Sequence, residues 1–226
     1  MGEAIAAGLA VEAVVATPEF LAGAAGRELA ARLERPPLAV AAPLLAELAD
    51  ADSPQGVAAV VHLPRGGAAT LPRRAGAVWV YADGLQDPGN LGALARVAEA
   101  AGAAGLALAP GTVHPNHPRA LRGSAGSLLR LPVAVDVAPA DLDAHLGERT
   151  RWVALAAHGG AGLYAAELDG ALVVALGAEG PGLSPAVAAR ADLHLTVPLA
   201  SPVESLNATV AAALVLFEIR RRRMTP

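Results

Sequence analysis

Short runs of Val, Leu and Ala alternate along this chain with stretches whose apolar residues recur at helical spacing, and that alternation predicts an α/β protein built on a mostly parallel sheet. In the first quarter the pattern predicts a strand over 12–17 and a helix over 18–33, opened by Thr17 as N-cap with Pro18 at the first helical position. A short strand over 38–41, a short helix over 44–49 and a strand over 56–63 complete a small module, with no helix expected before its first strand. Residues 64–76 combine turn formers and charge without an apolar period, as a linker does, and place a boundary near residue 72. The expected organisation is therefore a small domain over 1–63, a linker over 64–76 and a larger domain over 77–226. In the larger domain the pattern predicts strands over 77–82, 105–109, 132–136, 152–156, 172–176 and 193–197, and helices over 90–101, 118–121, 141–146, 185–191 and 205–221. The last of these carries Leu206, Val210, Leu214 and Phe217 at helical spacing, an apolar face expected to dock on the sheet or on another subunit.

Composition narrows the class. The 226 residues, at about 150 per domain, predict one to two domains, and the absence of Cys excludes a disulfide scaffold. A hydrophobic share of 54% and a mean hydropathy of +0.44 come largely from Ala, and aromatics are only 3%. A membrane span needs about 18 uninterrupted apolar residues; Glu3 and Glu12, Arg96 and Glu99, and Asn207 and Glu218 interrupt every candidate. No basic segment precedes an apolar run at the start, so no secretory signal and a cytoplasmic location are expected. The net charge of −4 argues against a protein that coats nucleic acid through a general basic field, but not against a site that grips one RNA locally. Arg supplies all of the Lys+Arg charge. That bias fits either a skewed codon composition or the bidentate binding of phosphate.

Three polar, Gly-rich segments follow expected strands, where α/β proteins place ligands. They are Asp83-Gly-Leu-Gln-Asp-Pro-Gly-Asn90-Leu-Gly-Ala-Leu-Ala-Arg96, Leu176-Gly-Ala-Glu179-Gly-Pro-Gly-Leu-Ser184 and Val197-Pro-Leu-Ala-Ser-Pro-Val-Glu-Ser205-Leu-Asn207. No phosphate-cradling Walker sequence or dinucleotide fingerprint is present, so a ligand held here lacks the pyrophosphate those motifs bind. Gly177, Gly180 and Gly182 leave backbone groups open for an adenine edge and a ribose.

In order and spacing, these segments resemble the three signature motifs of the SpoU (TrmH-like) branch of the SPOUT superfamily, the RNA 2′-O-ribose methyltransferases, and Ser124-Ala-Gly-Ser-Leu-Leu-Arg-Leu-Pro132 between them also fits. The resemblance covers residues 77–221. It implies a C-terminal trefoil-knotted α/β domain that binds S-adenosylmethionine, works as a homodimer and methylates RNA. The first 63 residues resemble a small, here shortened, α/β substrate-binding domain related to ribosomal protein L30. That preceding module points to ribosomal RNA rather than transfer RNA. A non-catalytic ribosome-assembly factor that keeps the fold, and modification of a ribosomal nucleotide for antibiotic resistance, stand as other readings.

The resemblance also implies roles. Arg96 matches the arginine used at the target nucleotide; because a guanidinium is hard to deprotonate, anchoring a phosphate and supporting the developing alkoxide suit it better than acting as a base. Without the motif it reads as a solvated helix residue paired to Glu99 at i+3. Asn90 orients the loop or the ribose, or simply caps a helix. Glu179 is the carboxylate of the second motif, or a loop acid in water. Ser205 and Asn207 hold RNA phosphate and Arg96, or Ser205 caps the last helix. Leu176, Gly177, Gly182, Val197, Leu199 and Leu206 are the expected cofactor-binding positions. Arg119, Arg122 and Arg130 are the expected RNA contacts. The run Arg220–Arg223 either touches RNA or complements the negative end of the last helix. His114, His117 and His158 lack the ligand set of a zinc site, and no metal is expected. One departure from the family pattern is Ala200-Ser-Pro-Val, where a glycine commonly precedes the position of Ser205.

Overall fold

A computed structural model describes residues 2–48, 54–63, 65–147 and 149–224. It divides into two compact units, Met1–Pro64 and Arg65–Pro226. The smaller contains α1 (Gly2–Ala6), β1 (Val11–Ala16), α2 (Pro18–Ala22), α3 (Ala24–Ala31), β2 (Leu38–Ala39), α4 (Ala42–Leu48) and β3 (Val57–Val61). Its sheet has the order β2-β1-β3, with β2 parallel and β3 antiparallel to β1. Thr17 does cap α2, its hydroxyl accepting the Phe20 amide at 3.2 Å. Two expectations are corrected. A short helix, α1, precedes the first strand, and the single helix over 18–33 is two. Gly23 breaks it by adopting extended backbone, and Gly26 lies so close to the Phe20 carbonyl that no Cβ fits between the two segments. Position 49 of the expected short helix lies outside the described residues.

The larger unit holds β4 (Val78–Asp83), α5 (Pro88–Ala101), β5 (Gly105–Leu108), α6 (Pro118–Gly123), α7 (Ser127–Arg130), β6 (Val133–Ala134), α8 (Pro139–Leu146), β7 (Arg151–Leu155), β8 (Ala161–Gly162), β9 (Leu172–Gly177), α9 (Pro185–Arg190), β10 (Leu193–Thr196) and α10 (Ala208–Met224). Its strands form one parallel sheet in the order β6-β5-β4-β9-β7-β10-β8. Every residue of β4 and β9 is buried, as expected of central parallel strands covered on both faces. On one face α5 and α10 pack through Leu91, Leu94, Ala95 and Ala98 with Ala212, Val215, Leu216 and Ile219. On the other, Trp152 lies 5.0 Å from the Tyr81 ring and beneath the Arg190 guanidinium, which also pairs with Asp143.

Two more expectations change here. The segment expected to be a linker belongs to the larger unit over its described part. The Arg65 guanidinium donates to Asn116 Oδ1 and to the Leu128 carbonyl, Leu71 is buried, and His145 donates to the Leu71 carbonyl. Its turn-rich composition reflects an irregular path along the unit, anchored by residues too few to show a period. In α10 the buried face is Thr209, Ala212, Val215, Leu216 and Ile219, whereas Val210, Leu214 and Phe217 are exposed. A helix apolar nearly all round shows no preferred side in its sequence. No helix among the described residues is long and apolar enough to cross a membrane.

Candidate functional site

The order of the central strands reverses between β4 and β9, which places a crevice at their carboxyl ends. The three Gly-rich segments leave the sheet there. The first runs from β4 into α5, whose N-cap is Asp87, with its carboxylate accepting the Asn90 amide at 2.7 Å. Asn90 is therefore not the cap, and its side chain is free for another use. It donates to Glu179 Oε1 at 2.8 Å.

Glu179 stands at the tip of a tight loop after β9, closed by paired backbone bonds between Ala178 and Gly182. Gly177, at the base, faces the backbone of Gly182 and Leu183 so closely that no Cβ can be accommodated, and Gly180 and Gly182 adopt positive φ. These glycines are required by a loop folded flat on itself.

The third segment ends at Asn207, which caps α10 in place of Ser205: its Oδ1 accepts the amides of Thr209 and Val210 at 3.0 and 3.3 Å. With the oxygen committed to the helix, the amide nitrogen faces the crevice and donates to Glu179 Oε1 at 2.7 Å and to Asn90 Oδ1 at 3.2 Å. The Thr209 hydroxyl also donates to the Asn90 carbonyl. One residue from each segment thus meets on a single carboxylate.

Behind this cluster lies a largely apolar cavity. All six residues expected to bind a cofactor, Leu176, Gly177, Gly182, Val197, Leu199 and Leu206, line it, as does Ser205. Sequence reasoning missed Leu155, Ala156 and Ala157 at the end of β7, and Ala208 and Ala211 on α10. The signal for the first group was present: Ala157-His-Gly-Gly160 is a fourth Gly-rich segment directly after a strand. It carries no motif side chain to mark it.

Arg96 is not drawn into the cluster. It is exposed six residues beyond Asn90 on α5, about 9 Å along the axis and about 120° around it. Its side chain makes no hydrogen bond or ion pair to another described residue. The i+3 pairing with Glu99 does not form, because Glu99 holds Arg130 through two bonds of 2.8 Å. Those hydrogen bonds keep the Glu99 carboxyl below the usual carboxylate range. Arg130, expected to contact RNA, is engaged in this pair, while Arg119 and Arg122 are exposed on α6. His114 and His117 use their Nδ1 atoms to accept the amides of Asn116 and Arg119, as loop and cap residues. The terminal arginines bond within the protein, although Arg220, Arg221 and Arg223 remain exposed and Arg221 pairs with Glu218 on its own helix. Arg220 donates to the Ala101 carbonyl, Arg222 to the carbonyls of Leu163 and Tyr164, and Arg223 to those of Gly76 and Gly170.

Known proteins resemble this chain in sequence and in fold. Residues 77–217 match the SpoU rRNA Methylase family. The 23S rRNA (guanosine(2553)-2′-O)-methyltransferase RlmP of Bacillus subtilis (strain 168) is 33% identical over 171 residues, covering 76% of this chain and 67% of that protein. A 23S rRNA (uridine(2479)-2′-O)-methyltransferase of Streptomyces viridochromogenes is 31% identical over 206 residues, or 88% of this chain and 72% of that one. The crystal structure of the SpoU methyltransferase AviRb from Streptomyces viridochromogenes, in complex with AdoMet, superposes with a TM-score of 0.90 at 28% identity, covering 99% of this chain and 87% of that one. With the family match extending over all three segments, the chain belongs to the SpoU rRNA methylase family.

Proposed function

We propose that this protein transfers the methyl group of S-adenosylmethionine to a ribose 2′-hydroxyl of ribosomal RNA. The observation that carries the reading is the convergence of Asn90, Glu179 and Asn207, one from each motif, at the rim of the cavity lined by all six expected cofactor positions. The cavity fits S-adenosylmethionine in kind. Leu176, Leu199 and Leu206 offer apolar surface, and Val197, Leu199 and Leu206 lie outside strand and helix, so their backbone groups are available to an adenine edge. When bound, the cofactor supplies an electrophilic methyl on a sulfonium.

The protein's part is positioning and charge. The two amides on Glu179 fix the loop that walls the cavity, and Ser205 places a hydroxyl at the same wall. Arg96 anchors the target phosphate and supports the negative charge developing on the ribose oxygen, a task that needs no deprotonated guanidinium. Arg119 and Arg122 extend the phosphate contacts. In the small unit, Arg32, Arg35 and His62 share the lining of a groove with Glu12 and Glu34, so RNA contact there runs through individual arginines rather than a basic field, and the α/β topology is consistent with a shortened relative of ribosomal protein L30.

The domain follows the knotted path implied by its family. In support, β9 is inserted between the earlier strands β4 and β7, and β10 between β7 and β8. The protein works as a homodimer in the cytoplasm, the second copy covering the exposed Val210, Leu214 and Phe217 of α10. A monomeric mass in light scattering at micromolar concentration counts against the dimer.

The test of function is incubation with tritiated S-adenosylmethionine and separate ribosomal and transfer RNA fractions. Label is expected in 23S rRNA, in an alkali-resistant dinucleotide. Label in transfer RNA instead moves the substrate, and calorimetry without S-adenosylmethionine binding supports a non-catalytic RNA-binding factor.

A further inference from the structure

One buried carboxylate next to the site has no part in the roles above. Asp83 is the last residue of β4 and is 8% exposed. Its Oδ2 accepts the Ser184 amide at 2.6 Å. In register it lies opposite Gly177, the last residue of β9. The chain leaving Gly177 makes the closed turn of Ala178–Gly182, carries Glu179 at its tip, and is then caught at Ser184 by the strand next door. Ser184 is itself the N-cap of α9, and its carbonyl accepts the Ala188 amide at 2.9 Å. The loop is thus tied at both ends to the β4–β9 pair, through the strand ladder at Gly177 and through Asp83 at Ser184. Between the ties lie Gly182, which walls the cavity, and Glu179, which receives Asn90 and Asn207. An ionised acceptor gives a shorter and stronger bond than a neutral one, and a largely buried carboxylate is costly to keep unless bonded. Its presence at a loop end where a backbone carbonyl could serve is a structural cost that needs a return.

We infer that Asp83 is a positioning residue for methyl transfer, acting through Ser184 to hold the Ala178–Gly182 loop at the height where it walls the cofactor cavity and presents Glu179 to Asn90 and Asn207. The inference rests on the function proposed above but is separable from it, because the tether can be read in the protein alone. The test compares wild type, Asp83→Asn, Asp83→Ala and Ser184→Pro; the last removes the donor at a residue whose φ of −62° already suits proline. Hydrogen exchange is followed at the amides of 178–184, together with melting temperature and separate KM values for S-adenosylmethionine and RNA.

In Asp83→Ala, exchange at Ser184 should rise and the KM for S-adenosylmethionine increase by about tenfold or more, with the KM for RNA changed by less than about twofold. Asp83→Asn, which keeps an oxygen acceptor, should recover most of that loss, and Ser184→Pro should reproduce it with Asp83 intact. Unchanged exchange over 178–184 in a folded Asp83→Ala or Ser184→Pro protein overturns the inference. Parallel losses for cofactor and RNA, or an Asn variant as impaired as Ala, do the same by reducing Asp83 to general stability. Wild-type protein that binds no S-adenosylmethionine defeats the proposed function, while the exchange measurement still decides whether Asp83 tethers the loop.

Discussion

The two units bury their sheets to different degrees. In the larger, β4 and β9 are buried at every position, with helices on both faces. In the smaller, both residues of β2 are exposed, no residue of β3 is buried, and Leu38 and Val60 stand 65% and 56% exposed. A strand covered on both faces cannot shift without opening two interfaces, so loops leaving its end are held to a fixed place. This is the property that a site built from three loops requires. The smaller sheet, covered on one side at most, places fewer such constraints on the loops that leave it.

Substitutions can sharpen this contrast. The largest effect is expected for Trp152→Ala, which removes a fully buried ring together with its hydrogen bond to Asp143 and the stacking of Arg190. It should cost about 3–5 kcal/mol in denaturant unfolding, whereas Leu38→Ser in the smaller unit should cost less than about 0.5 kcal/mol. Comparable losses at the two positions would break the contrast.

Arg96→Ala follows. It should slow transfer by about 10²–10³-fold, near 3–4 kcal/mol, in single-turnover assays, with S-adenosylmethionine binding unchanged in calorimetry. Retained labelling of RNA would remove Arg96 from the reaction.

Gly177→Ala forces a methyl into the backbone of Gly182 and Leu183. Calorimetry should show cofactor affinity lowered by about tenfold or more, near 1.4 kcal/mol. Replacing Arg32 and Arg35 together by Glu should raise the KM for RNA by a few-fold and flatten its salt dependence, while the KM for cofactor stays constant.

The smallest effect is expected for Glu99→Gln, at or below about 1 kcal/mol, because the Arg130 pair is partly exposed. The folded Glu99 carboxyl titrates below its ordinary value, chiefly through the hydrogen bonds of Arg130. The stability it adds is therefore fully present above the unfolded pKa and is lost as pH falls through the lower, folded one. Wild type and Glu99→Gln should accordingly converge in melting temperature toward strong acid.

Much of the site was legible before folding, for a physical reason. A loop that binds a cofactor through its backbone needs glycines and turn residues at fixed places after a strand, and those are visible in Leu176-Gly-Ala-Glu179-Gly-Pro-Gly. Helix caps were less legible. Asp87, Asn90, Ser205 and Asn207 are all residue types that cap helices, and sequence alone offered capping as the alternative role of Asn90 and Ser205. The structure gives them to Asp87 and Asn207. That difference matters, because the cap on α10 is what aims the Asn207 amide at Glu179. The boundary expected near residue 72 falls at Arg65 instead, because Arg65 and Leu71 anchor the segment through hydrogen bonds and burial at isolated positions that leave no periodic trace.

By itself the sequence determined an α/β chain and three Gly-rich loops in order, since these follow from local periodicity and from the backbone freedom of glycine, whereas the six cavity-lining positions were implied by the family resemblance. Only the tertiary structure decided that Asn90, Glu179 and Asn207, separated by as many as 117 residues, share one carboxylate. Only it decided which side of α10 faces the core. Local patterns state what a residue can do, but a hydrogen-bond partner or a covered face is set by the neighbours that folding brings, and those are not written next to it in the chain.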